Sequence, residues 1–275
     1  MPDSRSVLIT GCSTGIGYAC AHGMKERGWR VLATARKRED IKRLESEGLE
    51  VLELEYRDAR SIERCADEAL KRTDGKLTAL FNNGAYGQPG AVEDIPVDVL
   101  REQFEANFFG WHDLTRRIIP SMRKQGHGRI VQCSSCLGLV SLKYRGAYNA
   151  SKFALEALSD AMRQEFADTD IHVLQIEPGP IATQFVETSL AAYRANIDVE
   201  GSAHAEIYRD RIASMEKGGS TRFKLGPEAV LEKLIHALES PNPHPHYYVT
   251  TATYLLAWGR RLLSTRLLDR AMAGQ

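Results

Sequence analysis

Short apolar runs alternate with helix-length segments over most of the chain, and this alternation restricts the possible folds more than any other feature. Several runs are apolar on both faces, and strands of that kind separated by helices form a parallel sheet covered on both sides. The sequence therefore predicts the α/β class, a doubly wound parallel sheet (Rossmann fold) of about seven strands flanked by helices. The predicted strands are 7–10, 31–35, 51–54, 77–81, 129–133, 172–176 and 247–251, and the predicted helices are 16–27, 38–47, 60–72, 97–124, 148–167 and 227–239.

Two segments depart from the alternation, although no repeat or linker divides residues 1–275, which are predicted to form a single domain. Residues 180–226 carry little strand pattern, and so long a segment is typical of a binding loop with or without short helices. We expect it to recognise the substrate. Residues 252–275 form a C-terminal extension, and its segment 254–275 is a candidate amphipathic helix that is too charged to span a bilayer. It is expected to pack on the protein or a second subunit, or to make a peripheral membrane contact.

The charge balance argues against a nucleic-acid partner. Lysine and arginine total 36, aspartate and glutamate total 36, and the formal net charge is zero. Such a chain has no strong overall field to attract phosphate polymers. The polar N-terminus is not typical of a signal peptide, so a cytoplasmic location is expected.

The cysteines predict packing rather than disulfides or a metal site. Their number, five, is odd, and small reduced side chains are their expected form. Cys133 and Cys136 form a C-x-x-C pair, which is compatible with a redox site or half of a metal site. Because no second such pair or paired histidine accompanies it, we predict no metal.

A glycine-rich turn follows the first predicted strand and opens the first predicted helix. The segment Thr10–Gly17 reads TGCSTGIG. Glycines at such a turn let the backbone approach a pyrophosphate, and the helix N-terminus favours its negative charge. A plain tight turn is the alternative, but the position after the first strand favours a nucleotide site.

The end of the second predicted strand favours NADP(H) over NAD(H). Residues 36–38 read RKR, with no acid before Glu39. An acidic residue at this place would bind the adenosine ribose hydroxyls, whereas a cation accommodates a 2′-phosphate. Arg36 is the strongest candidate for that contact, and a solvated run of charges is the alternative.

Tyr148 and Lys152 lie four residues apart and therefore share one face of a predicted helix. A phenol with an ordinary pKa near 10 is a poor acid–base catalyst at neutral pH, and a nearby ammonium group would lower that pKa. The pair is thus a candidate proton donor, although this spacing alone is common on protein surfaces.

These motifs together resemble the short-chain dehydrogenase/reductase family, in its NADP-using single-domain subgroup, over residues 6–250. The glycine motif stands at 10–17 and the tyrosine–lysine motif at 148–152, with Ser135 thirteen residues before the tyrosine and Ser134 as its neighbouring alternative. The details lean toward the 17β-hydroxysteroid and retinol dehydrogenase branch with its bacterial relatives. Where the family has N-N-A-G, this chain reads NNGA at 82–85, which swaps the last two residues and leaves the local backbone path open, because only glycine freely adopts a positive φ.

The resemblance implies roles for individual residues. Tyr148 would protonate a carbonyl oxygen or deprotonate an alcohol, Ser135 would hydrogen-bond that oxygen, and Lys152 would lower the phenol pKa and hold the nicotinamide ribose. Asn107 would anchor a water that links Lys152 to solvent. The predicted cofactor-binding residues are Gly11, Ser13, Thr14, Gly15, Ile16, Gly17, Arg36, Glu55, Asn82, Gly84, Tyr148, Lys152, Pro178, Gly179, Ile181 and Thr183. The predicted substrate-binding residues are Ser135, Leu137, Tyr86, Tyr144 and Phe185.

The predicted function is interconversion of an apolar aldehyde or ketone with its alcohol, using NADP(H) and favouring reduction. A homodimer or homotetramer is implied by the resemblance. The alternative from another class is an NADP(H)-binding sensor or scaffold protein without turnover. Sugar-nucleotide epimerase or dehydratase chemistry fits less well, because the chain lacks an extra C-terminal domain.

Overall fold

The computed structural model describes residues 5–218 and 223–273. Parts of the predicted 180–226 loop (219–222) and of the C-terminal extension (274–275) lie outside the described residues. Seven parallel strands form one sheet in the order β3-β2-β1-β4-β5-β6-β7, which confirms the predicted doubly wound fold. The strands are β1 Ser6–Ile9, β2 Arg30–Ala35, β3 Glu50–Glu53, β4 Ala79–Asn82, β5 His127–Cys133, β6 Asp170–Glu177 and β7 His246–Tyr248.

The helices surround the sheet, and the central strands β1 and β4 are buried along their whole length. Burial on both faces explains why these strands read as continuous apolar runs in the sequence. The helices are α1 Gly15–Glu26, α2 Arg38–Ser46, α3 Ala59–Arg72, α4 Val97–Phe104, α5 Gly110–Gln125, α6 Gly146–Glu165, α7 Phe185–Asn196, α8 Ala205–Glu216, α9 Glu228–Glu239, α10 Thr251–Leu262 and α11 Thr265–Ala273.

The predicted single helix 97–124 is wrong in one respect. A π-helical turn, Glu105–Phe109, separates α4 from α5. A π turn inserts an extra residue and is frequent at functional sites. The apolar spacing on both sides remains helical, so periodicity gave no sign of the interruption.

The substrate-loop segment is largely helical rather than a bare loop. Helices α7 and α8 pack through a small second core that includes Tyr193, Tyr208 and Met215. This core is separate from the main one around the sheet. Local apolar contacts of this kind explain how a segment without strand pattern keeps a defined shape.

The C-terminal region differs from prediction at two places. The predicted strand 247–251 stops at Tyr248, and the Thr250 side chain instead accepts a hydrogen bond from Thr253 N at the start of α10. The predicted single helix 254–275 is divided into α10 and α11 at Leu263–Ser264. Among the described residues, no helix is long and apolar enough to cross a membrane.

The first prediction concerns Gly17, which has no room for a side chain. A Cβ there would overlap the carbonyl oxygen of Gly11 and lie 2.7 Å from Nδ2 of the Asn83 side chain. We expect Gly17→Ala to lower the free energy of unfolding by about 1–3 kcal/mol, the usual cost of overpacking. Urea denaturation measures the change.

Gly259→Ala is the matched control, because Gly259 is also helical but a Cβ there makes ordinary contacts at 3.7 and 3.8 Å. Its unfolding free energy should stay the same or rise by up to about 1 kcal/mol, the helix propensity of alanine over glycine. Equal stability of Gly17→Ala and the parent protein would contradict the close backbone packing.

Candidate active site

The glycine turn lies where the carboxyl ends of β1 and β4 meet, at the point where strand order reverses. Ligands of open α/β sheets bind in this crevice. Gly11 and Gly15 have φ values of 68° and 60°, which favour glycine. Thr10 Oγ1 accepts hydrogen bonds from Asn83 N at 2.8 Å and Gly84 N at 3.2 Å. The turn is therefore tied directly to the segment that follows β4.

Gly84 explains the unusual NNGA sequence. Its backbone is outside the left-handed region, so the conformational freedom of glycine is not what the position requires. A Cβ on Gly11 would overlap Gly84 Cα, and a Cβ on Gly84 would lie 3.2 Å from Gly11 Cα. Close backbone approach, rather than an altered path with positive φ, is the reason for glycine here.

A cleft of about 660 Å³ runs from the glycine turn to the end of β2. Its lining includes Ser13, Thr14 and Gly15 of the turn, the cations Arg36, Lys37 and Arg43, and the acids Glu39 and Asp40. Backbone amides at a helix N-terminus and side-chain cations are the groups that hold phosphates. The residues present thus fit a phosphorylated dinucleotide.

Arg43 was missed by the sequence interpretation. Its Nη2 donates to the Ser13 carbonyl oxygen at 2.6 Å, so it braces the glycine turn from α2. It also forms ion pairs with Asp40 and Glu47. The sequence did offer a sign of this role, because Arg43 lies on α2, the helix that begins directly after the Arg36–Lys37 cations of the cleft.

Arg36 and Glu55 form an ion pair of 3.2 Å at the outer end of this cleft. Glu55 also accepts hydrogen bonds from the backbone and side chain of Arg57. Burial opposes ionisation of Glu55, but the hydrogen bonds from Arg57 and Arg36 prevail and hold its pKa low. The Arg36 side chain is still 59% exposed, which leaves it accessible to a ligand.

Asn82 does not present its side chain as predicted. It is fully buried, its Oδ1 accepts from the Tyr56 hydroxyl, and its Nδ2 donates to Thr115 Oγ1 and Gln132 Oε1. A buried amide with all these partners stabilises the core. The polar side chain therefore cannot line the cofactor cleft in this arrangement, and Asn83 faces the glycine turn instead.

Tyr148 lies in the first turns of α6, buried beside Ser135 at the end of β5. Ser135 Oγ accepts a hydrogen bond from Leu137 N at 3.1 Å and thereby caps a short 3₁₀ turn, Cys136–Gly138. Burial raises the pKa of Tyr148, and a hydrogen bond from Ser135 opposes the rise. The phenol consequently keeps its proton at neutral pH.

Lys152 is buried, and its ammonium group is bound to a backbone carbonyl. Its Nζ donates to the Cys133 carbonyl oxygen at 2.8 Å and lies 4.2 Å from the Trp111 ring centroid and 5.8 Å from the Tyr148 ring centroid. Burial lowers the pKa of Lys152 to about 8. The expectation that this ammonium lowers the Tyr148 pKa is wrong here, because burial dominates and raises it.

Asn107 occupies the π turn and fixes the segment after β4. Its Oδ1 accepts from Tyr86 N at 3.2 Å, and its Nδ2 donates to Tyr86 O at 2.8 Å. The side-chain amide is thus committed to the Tyr86 backbone. The π turn also disturbs the regular helical bonding of the backbone around Asn107, which offers a further place for the predicted water.

The Pro178-Gly179 segment links the two ends of the site. The Pro178 carbonyl oxygen accepts from Cys136 N at 2.9 Å, next to Ser135. Ile181 pairs with Leu225 in an isolated bridge. Thr183 lies near Gly15, and a Cβ added to Gly15 would be 3.0 Å from the Thr183 side chain. Thr183 and Gly15 also share a second cleft of about 480 Å³.

Three of the predicted substrate-binding residues adjoin the catalytic set. The Phe185 ring meets the Tyr148 ring edge-on at 5.4 Å, Leu137 bonds to Ser135, and Tyr86 bonds to Asn107. Tyr144 differs, because its ring packs on His204, Tyr208 and Arg211 in the second core. Its φ of 60° is a strained conformation for a non-glycine residue.

The cysteines are free and buried, as the packing interpretation expected. Burial raises the pKa of both Cys133 and Cys136 to about 11, so neither thiol is ionised at neutral pH. A reactive thiol needs a lowered pKa and access to solvent. Redox chemistry is therefore not supported at this pair.

A buried acidic cluster on α6, β6 and β7 was missed by the sequence interpretation. It comprises Glu156, Glu177 and His246, whose ligand atoms all lie within 4.8 Å of one another. His246 Nδ1 and Glu177 Oε1 are 2.6 Å apart, and within residues 5–218 and 223–273 Glu156 Oε1 has no hydrogen-bond partner. Burial and the charge of Glu177 raise the pKa of Glu156 to about 8. Glu156 lies one turn after Lys152, a spacing that was visible in the sequence.

The comparisons with known proteins assign the family. The family model for short chain dehydrogenase matches residues 5–194, and the chain belongs to this family of oxidoreductases, whose members bind a nicotinamide cofactor.

Three curated relatives and one solved structure illustrate the match. The Escherichia coli K12 protein named uncharacterized oxidoreductase YbbO is 42% identical over 98% of this chain and 94% of its own. The NADPH-dependent 3-dehydrocapnine reductase of Ornithobacterium rhinotracheale is 29% identical over 97% and 95%. Human retinol dehydrogenase 8 is 30% identical over 87% and 79%. A short-chain dehydrogenase structure from Streptomyces avermitilis, 27% identical, has a TM-score of 0.82 over 100% and 98%.

The second prediction uses the raised pKa of Glu156. Because the folded protein favours the protonated carboxyl, its stabilising contribution is complete below the ordinary pKa of 4.5 and is lost as pH rises through about 8. The pKa of His246 is also raised, by Glu177, and acts in the same direction. We expect Glu156→Gln to reduce the loss of unfolding free energy between pH 6 and pH 9 by about 2 kcal/mol.

Glu165→Gln is the control, since Glu165 is exposed at the end of the same helix. Its pH–stability curve, measured by urea denaturation, should match that of the parent. An unchanged curve for Glu156→Gln would mean that Glu156 does not hold a proton in the folded protein.

Proposed function

We propose that the protein is an NADP(H)-dependent oxidoreductase that interconverts an apolar aldehyde or ketone and the corresponding alcohol, with reduction as the favoured direction. The observation that carries the proposal is the geometry of the site, in which the buried Tyr148 phenol lies beside Ser135 and Lys152 follows one turn later on α6. A phenol that keeps its proton at neutral pH is the form that can protonate a carbonyl oxygen. Related reductases in the family, such as the NADPH-dependent 3-dehydrocapnine reductase, support this direction.

The chain's own residues have distinct roles in this proposal. A bound nicotinamide dinucleotide supplies or accepts the hydride. The Tyr148 hydroxyl donates its proton to the substrate oxygen, and the Ser135 hydroxyl donates a hydrogen bond to the same oxygen as negative charge develops. Lys152 supplies positive charge within the pocket and, on binding, a hydrogen bond to the nicotinamide ribose. Asn107 holds the Tyr86 segment in place.

The cofactor preference rests on the cations around the outer cleft. Arg36, Lys37 and Arg43 line this cleft. A 2′-phosphate carries up to two negative charges, and these cations would neutralise them. The remaining predicted cofactor residues, Ile16, Gly179 and Ile181 among them, border the glycine turn and the Pro178 segment. We propose Arg36 as the principal phosphate contact.

The substrate is proposed to have an apolar skeleton. Phe185 and Leu137 place apolar surface beside Tyr148 and Ser135, and retinol dehydrogenase 8 is among the curated relatives. We propose that residues 1–275 act as one domain in which 180–226 selects the substrate. A cytoplasmic homodimer or homotetramer is proposed as the working form.

The third prediction tests the proton donor. Tyr148→Phe keeps the ring that packs on Phe185 but removes the hydroxyl. We expect kcat/KM for NADPH-dependent reduction to fall by about 10²–10⁴, the usual contribution of a positioned general acid. The assay is NADPH oxidation with a panel of aliphatic aldehydes, retinal and steroid ketones.

Tyr254→Phe is the matched control, because Tyr254 is exposed on α10. It should keep the activity of the parent protein. Equal turnover by Tyr148→Phe would contradict the mechanism, whereas tight NADPH binding without turnover of any carbonyl by the parent would favour the sensor or scaffold alternative.

The fourth prediction tests the cofactor preference. Arg36→Asp places a negative charge beside Glu55 where we propose the phosphate binds. We expect the KM for NADPH to rise about tenfold or more, with a smaller change for NADH. Arg38→Asp makes the same change of charge two residues away, at the exposed start of α2, and serves as control. An unchanged KM for NADPH in Arg36→Asp would assign the phosphate to another group.

A further inference from the structure

The two C-terminal helices, α10 and α11, expose a row of large apolar side chains. Trp258 is 60% exposed and Leu262 is 73% exposed, which are high values for such residues. Tyr254, Leu255, Leu263 and Leu267 are exposed as well. A contiguous apolar surface of this kind marks an interaction site more often than a scattered single residue does.

The spacing puts the exposed side chains on one stripe of α10. Tyr254, Trp258 and Leu262 are four residues apart, so they lie on the same face one above the other. The helix buries Thr253 and Ala257 against the protein. The apolar stripe therefore points outward, on a different side of α10 from the residues that pack against the rest of the protein.

The same two helices also carry positive charge. Arg260, Arg261, Arg266 and Arg270 are exposed, and Asp269 is the single acidic residue of segment 254–275. Within 5–218 and 223–273, none of these arginines is in an ion pair. Exposed apolar residues flanked by unpaired cations match the headgroup and acyl layers of an anionic membrane.

A second copy of the chain is less well matched to this surface. A twofold contact would bring each copy's arginines against the same patch of its partner, with Asp269 alone to offset them. Like charges brought together out of water oppose association. The charge pattern thus favours an anionic lipid surface as the occupant.

The helix pair also borders the candidate active site. Helix α10 contacts the Cys136–Gly138 turn that Ser135 caps. A Cβ on Gly179 would overlap the side chain of Thr250 at the start of α10. At the other end, Lys143 Nζ donates to the Ala273 carbonyl oxygen at 3.2 Å. A membrane that bound the pair would therefore lie beside the site.

We propose that the helix pair 251–273 is a peripheral docking surface for anionic membranes. The apolar stripe with Trp258 and Leu262 enters the boundary between headgroups and acyl chains, and the arginines bind lipid phosphates. This inference concerns binding alone, so it holds or fails independently of the proposed reaction. For the proposed function, docking would bring the site next to a store of apolar substrates.

The experiment uses the full chain with vesicles of phosphatidylcholine, or of phosphatidylcholine mixed with phosphatidylglycerol. Trp29 and Trp111 are buried, so Trp258 is the exposed member of the three tryptophans and its fluorescence reports contact. We expect co-sedimentation and a blue shift with the anionic vesicles, reduced by high salt and much weaker with phosphatidylcholine alone.

Two variants separate charge from apolar contact. Arg260→Glu with Arg261→Glu should weaken binding to anionic vesicles about tenfold or more. Leu262→Ser should weaken it and diminish the Trp258 blue shift. Arg60→Glu with Arg64→Glu on α3 makes the same change of charge on another exposed helix and should leave binding unchanged.

Three results would overturn the proposal: no binding of the parent chain to anionic vesicles, equal binding of the Arg260/Arg261 variant, or equal loss in the α3 control. A fourth is self-association by analytical ultracentrifugation that Leu262→Ser abolishes, because a second copy would then cover the stripe. Tyr148→Phe should bind vesicles like the parent, so loss of turnover and loss of docking remain distinguishable.

Discussion

The contact of backbone on backbone between Gly11 and Gly84 is the constraint on which the rest of the site depends. It holds the ends of β1 and β4 close enough that no side chain fits between them. Thr10 bonds to the amides of Asn83 and Gly84 and fixes the same junction. Because β1 and β4 flank the point where strand order reverses, this closeness sets the floor of the crevice. The cations at the end of β2 and the phenol on α6 are placed relative to that floor.

Burial, more than pairing of charges, shifts the pKa values of the proposed catalytic residues. It raises the pKa of Tyr148 and lowers that of Lys152, so both shifts favour the neutral forms. The same effect keeps a proton on Glu156, one helical turn further along α6. Tyr148 and Glu156 therefore keep their protons at neutral pH, whereas Lys152, with a pKa of about 8, remains mostly charged there. The shifts arise because the cost of removing a charge from water exceeds the attraction between neighbours.

Sequence patterns predicted the strands because their burial on both faces produces continuous apolar runs. The motifs predicted that Tyr148, Ser135 and the glycine turn are parts of one site. They did not reveal the π turn at Asn107, since an inserted residue hardly alters the apolar spacing around it. They also placed Asn82 in the cleft, whereas its amide is satisfied in the core by partners far along the chain. The direction in which the Tyr148 pKa shifts depends on desolvation. Desolvation is known only from the packed structure, and a lysine four residues away in the sequence does not reveal it. The missed Glu156–Glu177–His246 cluster likewise forms only when α6, β6 and β7 come together.

The α7–α8 region is stabilised by a hydrophobic core separate from the main core around the sheet, and this separation bears on how substrate specificity arises. Residues of α7 and α8 pack through their own core, joined to the 3₁₀ turn Val92–Asp94 by the hydrogen bond between Tyr208 and Asp94. Tyr144, next to the start of α6, belongs to that second core and adopts a strained backbone there. A change in the α7–α8 packing would therefore act on Tyr144 without passing through the main core around the sheet. Under the proposed function, the sheet and α6 would hold the cofactor crevice and Tyr148 in place, while substitutions in this smaller core would reshape the pocket for different substrates.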